Sequence, residues 1–102
     1  MIRMWIKQEI MITQKMIVTN KVGLHARPAS LFVKTAGQFR SDIRVRNLTP
    51  STDWVTAKSI FSVLGLGVQK NHEIEVSGEG EDAQSALTAI TSLIQSNFGE
   101  SA

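Results

Sequence analysis

There is no cysteine in the chain, so disulfides, thiolate metal sites and thiol catalysis are excluded. That absence suits a cytoplasmic protein. No apolar run approaches the roughly 20 residues that a membrane-spanning helix needs. Tyrosine is absent, and aromatic residues make up only 6% of the chain. They stand among aliphatic residues, as core residues do, and form no stacking platform for nucleic acid. No repeat or low-complexity segment occurs. Basic residues are missing from 71–102, which hold six acids; all 11 Lys and Arg lie in 1–70, opposed only by Glu9, Asp42 and Asp53. The basic part suits acidic partners or phosphate, unless folding brings the two parts together and cancels much of the charge. Its cations are spread singly, so neither nucleic-acid binding nor membrane insertion is expected.

What is present reads as one domain of 102 residues. Met11 to Thr19 is rich in Ile, Val, Met and Thr and predicts a strand, with Met16 and Val18 on one face. Asn20-Lys21-Val22-Gly23 reads as a turn. A helix follows from about Ala26 to Ala36, since Ala29, Phe32, Val33 and Ala36 recur on one stripe. Gly37 can end it. Asp42 to Asn47 alternates Ile43 and Val45 with Arg44 and Arg46, a half-exposed strand. Leu48–Asp53 is a loop, and Trp54-Val55-Thr56 a short return strand. Ser59 then caps a short helix that stops at Gly65. After a turn at Lys70-Asn71, Glu73 to Ser77 predicts a fourth strand with Glu73 and Glu75 outward. The last helix begins near Glu81-Asp82, where acids favour a helix N-terminus, and buries Ala83, Leu87, Ile90 and Ile94. The order β-α-β-β-α-β-α predicts an α+β fold: an open-faced β-sandwich with a four-stranded antiparallel sheet and three helices on one face.

One position carries chemistry. His25 precedes the first turn of the first helix, where free backbone N–H groups and the positive end of the dipole hold anions. Arg27 adds a permanent cation whose planar donor fork suits phosphate oxygens. Pro28 fixes the backbone where its missing N–H is not needed. Imidazole, with an unperturbed pKa of about 6.5, is a usable nucleophile near neutral pH. These parts describe a histidine that accepts a phosphoryl group and passes it on. They are also generic, because a lone histidine before a helix is commonly a cap or a surface residue. His72 has no comparable company and reads as an ordinary residue where a strand begins. Nothing in the sequence requires a cofactor or a metal.

The stretch Gly23-Leu24-His25-Ala26-Arg27-Pro28-Ala29 resembles the active-centre signature of the histidine-containing phosphocarrier (HPr) family of the bacterial sugar phosphotransferase system. Lys58-Ser59-Ile60-Phe61-Ser62-Val63-Leu64-Gly65-Leu66-Gly67 resembles the family's regulatory-serine segment. Gly78-Glu79-Gly80-Glu81-Asp82-Ala83 is similar to the lead into its last helix. The resemblance implies that His25 accepts a phosphoryl group at its δ nitrogen from phospho-enzyme I and donates it to a sugar-specific enzyme IIA. It implies a carrier with a covalent intermediate and not a free-standing enzyme. Arg27 becomes the phosphate-stabilising residue, and Ile60, Phe61 and Leu64 a docking patch, with Val63 assigned to the core. Ser59 becomes, besides an N-cap, the site that an HPr kinase/phosphorylase modifies in some bacteria.

The sequence departs from the family in places. Leu48–Asp53 is a few residues longer than the usual turn, so pairing of the second and third strands is open. Asn71 stands where glycine is common. Residues 1–10, which carry no signal- or transit-peptide pattern, precede the family's usual start. They read as an extension that places Trp5 on the sheet, or as the product of an upstream start codon. The expected division is thus 1–10 extension, 11–98 phosphocarrier domain and 99–102 tail. Thr19-Asn20-Lys21 also resembles a paralogous, nitrogen-related regulatory branch, whereas Lys58-Ser59-Ile60 favours the sugar branch. A binding-only regulator is the remaining alternative, against which the retained His25 and Arg27 stand.

Overall fold

Alternating apolar and polar residues set the strands, and glycine, asparagine and serine set their ends. The structure, a computed structural model, describes residues 11–100. The expectation for Trp5 lies outside them. The elements run β1 (Met11–Ile17), α1 (Ala26–Ala36), β2 (Asp42–Asn47), β3 (Val55–Thr56), α2 (Ile60–Gly65), β4 (Glu73–Glu79) and α3 (Ala83–Gln95), followed by a 3-10 turn at Asn97–Gly99. The four strands form one antiparallel sheet in the order β1-β4-β2-β3. This is the predicted open-faced sandwich.

The register explains the core. Met16 lies opposite Ile74, and Val45 opposite Val76, so their side chains share the inner face. Phe32 of α1, Val63 of α2 and Leu87, Ile90 and Ile94 of α3 join Ile43, Val45, Ile74 and Val76 in one buried cluster. Each such side chain contributes about 1.5–3 kcal/mol by leaving water. The stripe on α1 is buried at Ala29, Phe32 and Ala36, while Val33 stays partly open.

Several boundaries differ from the sequence reading. β1 ends at Ile17, although Val18 still exchanges bonds with the β4 side: its N–H donates to His72 O at 3.0 Å, and its carbonyl accepts from Asn71 N at 2.6 Å. Asn71 has φ 72°, the left-handed turn residue that the sequence suggested. Gly65 does not stop α2. It is the last helical residue, Leu66 is the C-cap, and Gly67 at φ 61° reverses the chain. Glu75 is the clearest correction. Predicted to face outward into solvent, it is only 9% exposed. β4 is the central strand, so its neighbours cover it: Arg46 donates to Glu75 Oε1 from Nη2 at 2.6 Å and Nε at 2.9 Å, and the guanidinium sits 4.5 Å from the Trp54 ring centroid. The long loop closes on itself, with Thr52 bonding back to both backbone groups of Asn47. Pairing of β2 with β3 is confined to Arg44 with Thr56 and Val45 with Val55.

Asp82 occupies the N-cap position of α3 but does not cap it. Its carboxylate instead accepts from the N–H of Arg40 at 2.8 Å, the N–H of Ser41 at 2.9 Å and the Ser41 hydroxyl. It ties the α1–β2 connection to the start of α3. The Ser41 hydroxyl, then the Arg40 amide, hold its carboxyl below the usual value of 3.8. Because the folded-state value is depressed, the stabilisation is present above the unfolded carboxyl's range and lost as pH falls through the folded one. Wild-type stability should therefore drop on acidification below about pH 4. Asp82→Asn should be less stable at neutral pH and show a shallower drop, measured by urea denaturation across that range. An unchanged acid limb in the variant would remove Asp82 from the account.

Candidate functional site

The site begins with a close backbone approach. Gly23 closes the Asn20–Gly23 turn by donating to Asn20 O at 3.2 Å, and its φ is 62°. A Cβ at this position would lie 2.4 Å from Val68 O and 2.7 Å from Gln69 Cα. Only glycine meets both demands. Next in line, buried Leu24 donates its N–H to Val68 O at 3.0 Å. The segment between α2 and β4 thus fixes the chain one residue before His25.

His25 is extended, with φ −80° and ψ −172°, and is the N-cap of α1. Its carbonyl accepts the first helical bond from Ala29 N at 2.8 Å. The imidazole makes no capping bond and is exposed, so it is free to react. The amides of Ala26 and Arg27 belong to the first turn and have no carbonyl four residues back within the helix. Pro28, buried, has no N–H to satisfy.

Arg27 reaches towards the C-terminal segment. Its Nη1 donates to Phe98 O at 3.1 Å and lies 3.4 Å from Glu100 Oε2. With the Arg27 side chain 61% exposed, that ion pair contributes at most about 1 kcal/mol. On the neighbouring α2, Ser59 accepts from Ser62 N at 3.3 Å, the predicted cap. Such a cap contributes about 1 kcal/mol. Phe61 is 83% exposed and Leu64 39%, while Ile60 is half-buried against the core and Val63 fully buried. A helix one turn from its cap thus shows two bare apolar side chains on the helix packed beside α1. His72 lies elsewhere, in the turn before β4. Among the described residues no group of three His, Cys, Asp or Glu is placed to hold a metal ion. No helix among them is long and apolar enough to cross a membrane.

The sequence profile described as the PTS HPr component phosphorylation site matches residues 12–96. The chain belongs to the HPr family. It is 39% identical over 90 residues to the phosphocarrier protein HPr of Neisseria meningitidis, covering 88% of this chain and 98% of that one. It is 43% identical over 83 residues to the multiphosphoryl transfer protein of Vibrio cholerae. There it covers 81% of this chain but spans only about a fifth, 21%, of that longer relative. Among solved structures, HPr-C-His from Thermoanaerobacter tengcongensis superposes with a TM-score of 0.83 at 42% identity, covering 89% of this chain and 99% of that one.

Around the HPr motif, sequence reading missed a second layer. Asn20, read as a turn residue and as part of the Thr19-Asn20-Lys21 resemblance, is 1% exposed. It donates to Gly23 O at 2.8 Å and to Glu100 Oε1 at 3.2 Å, and its own Oδ1 is buried without a partner. Thr19 donates its hydroxyl to Asn97 Oδ1 at 3.0 Å. Asn97, Phe98 and Gly99 have φ of 54°, 57° and 74°. A left-handed phenylalanine costs about 1–3 kcal/mol. Burying its ring, 1% exposed, returns about 1.5–3 kcal/mol, and the bond from Arg27 to its carbonyl adds to that side. The signal that would have found this layer is a single aromatic, Phe98, set in the polar run that follows the last helix.

Gly23 and Gly67 allow a matched test, since both have φ near 60° but only Gly23 has atoms within 4 Å of a built Cβ. Gly67→Ala should cost about 1–2 kcal/mol for the left-handed Cβ. Gly23→Ala should cost clearly more, read as urea midpoints. Equal losses would mean that the approach to Val68 is not tight.

Proposed function

We propose that the chain is a cytoplasmic phosphocarrier that accepts a phosphoryl group on His25 from phospho-enzyme I and donates it to a sugar-specific enzyme IIA. The observation that carries this reading is the state of His25: an exposed ring at the N-cap of an 11-residue helix, with no capping bond to occupy it. The relatives' names, phosphocarrier protein and multiphosphoryl transfer protein, support the same chemistry. In the forward step the lone pair of Nδ1 attacks phosphorus, and the bond from phosphorus to the donor breaks with its electrons leaving on the donor. Donation to the next protein reverses these roles. The first-turn amides and Arg27 face the developing charge. An arriving phosphoryl group, carrying up to two negative charges, competes with Glu100 for the Arg27 guanidinium. The carrier needs no cofactor or metal in this scheme. Its domain is residues 11–98, with 1–10 as an extension and 99–102 as a tail.

Phe61 and Leu64, flanked by Ile60, serve as the apolar contact for both partners. Ser59 lies at the start of that contact. A phosphate there adds about two negative charges at the rim and repels an acidic partner, which would let an HPr kinase/phosphorylase regulate transfer. A nitrogen-related branch is the second reading. Its support is the Thr19-Asn20-Lys21 resemblance in the sequence.

Incubation with enzyme I and phosphoenolpyruvate should add the mass of one phosphate, labile in acid and absent in His25→Ala. Arg27→Ala should be phosphorylated more slowly by on the order of 10²-fold. A wild-type protein that stays unmodified with several enzyme I proteins would refute the carrier reading. With HPr kinase and ATP, an acid-stable phosphate lost in Ser59→Ala is the expected result; no incorporation removes the regulatory role.

A further inference from the structure

The sequence sets His72 aside as an ordinary residue, yet its ring sits in a defined network. The N–H of Gln69 points at His72 Nδ1 at 3.1 Å, and Asn47 Nδ2 lies 3.1 Å from the same nitrogen. The Asn47 carboxamide cannot be turned the other way. Its oxygen accepts from Thr49 N at 3.3 Å, and its nitrogen donates to Leu66 O at 3.0 Å. Both neighbours of Nδ1 are therefore donors. Nδ1 is an acceptor, and the ring proton lies on Nε2. Asn71 and Glu73 flank His72 along the chain, with Lys70 one residue further, and none of their side chains is hydrogen-bonded to the ring.

The network grips one short piece of backbone at two points. Leu66, the C-cap of α2, is held by its carbonyl, and Gln69 by its amide. Between them stands Val68, whose carbonyl holds Leu24 one residue before His25. Asn47 is completely buried and sits at the end of β2, so the grip is anchored in the sheet. We infer that Asn47 and His72 are positioning residues of the phosphoryl site. Acting through Val68 and Leu24, they fix the start of α1 relative to the end of α2, and so the distance between the acceptor ring and the docking patch. The link to phosphoryl transfer rests on the carrier reading; the link to the backbone of Leu24 does not.

Two substitutions separate positioning from simple filling of space. His72→Leu keeps bulk and removes the acceptor, whereas His72→Asn puts Oδ1 where Nδ1 was. In His72→Leu, amide hydrogen exchange at Leu24 and Gln69 should quicken by about tenfold, the scale of one net hydrogen bond, while Val76 in the sheet keeps its protection. Phosphorylation of His25 should slow by a similar factor, with His72→Asn within about twofold of wild type on both measures. Unchanged exchange at Leu24 in His72→Leu, or equal exchange in the two variants, overturns the inference. If wild type accepts no phosphate, the carrier reading fails while the exchange data still decide the positioning role. Should His72→Leu not fold, nitrogen-15 NMR of the wild-type ring decides: a proton on Nδ1 contradicts the network, and one on Nε2 with an unprotonated Nδ1 is required by it.

Discussion

The backbone of Gly23 and Leu24 lies against the backbone of Val68 and Gln69, and the site is built outward from that approach. Removing side-chain bulk at Gly23 lets two loops from opposite ends of the domain share a hydrogen bond. Once Leu24 is fixed, the direction of α1 is fixed, and His25 stands at its N-terminus with the ring outside the helix. Because the same Val68 segment ends α2, the apolar side chains of Phe61 and Leu64 are referred to the same frame. The proposed carrier role needs this: the His25 ring and the proposed contact surface must keep one geometry.

The cation at the start of α1 already has an anionic partner within the chain. First-turn amides and Arg27 favour negative charge, and Glu100 supplies one from the chain itself. Its hold is weak because the pair is open to water. A weak internal anion helps hold the guanidinium beside Phe98 O. The buried Asn20 joins this segment to the Gly23 turn.

Much of this was legible in the sequence. Ile43 and Val45 alternate with arginines, and β2 runs over the predicted residues. Ser59 before an apolar run predicted the cap of α2, and the spacing of Ala29, Phe32 and Ala36 predicted the buried stripe of α1. The errors share a cause, which is long-range structure. Glu75 follows a simple alternation and reads as exposed, but a central strand has neighbours on both sides, and Arg46 comes from β2 and Trp54 from the loop before β3. Asp82 looks like a helix cap; its partners lie 41 and 42 positions away. Glu100 and Phe98 meet Arg27 across more than 70 residues, a separation that no local pattern records. The place of His25 at the start of α1 was legible because the helix pattern that follows it is local.

The strand order has a consequence for how the molecule comes into being. Among the described residues β1 pairs only with β4, Met11 facing Glu79, and β2 pairs with the other side of that same strand. On a ribosome adding about 5–20 residues per second, β1 waits several seconds for its partner. Until β4 emerges, Met16, Val18 and Phe32 have no sheet to cover them. Even then, the ring of Phe98 has still to enter the core. The sheet therefore closes only once β4 has been made, and the contacts of Phe98 and Glu100 with Arg27 form after that.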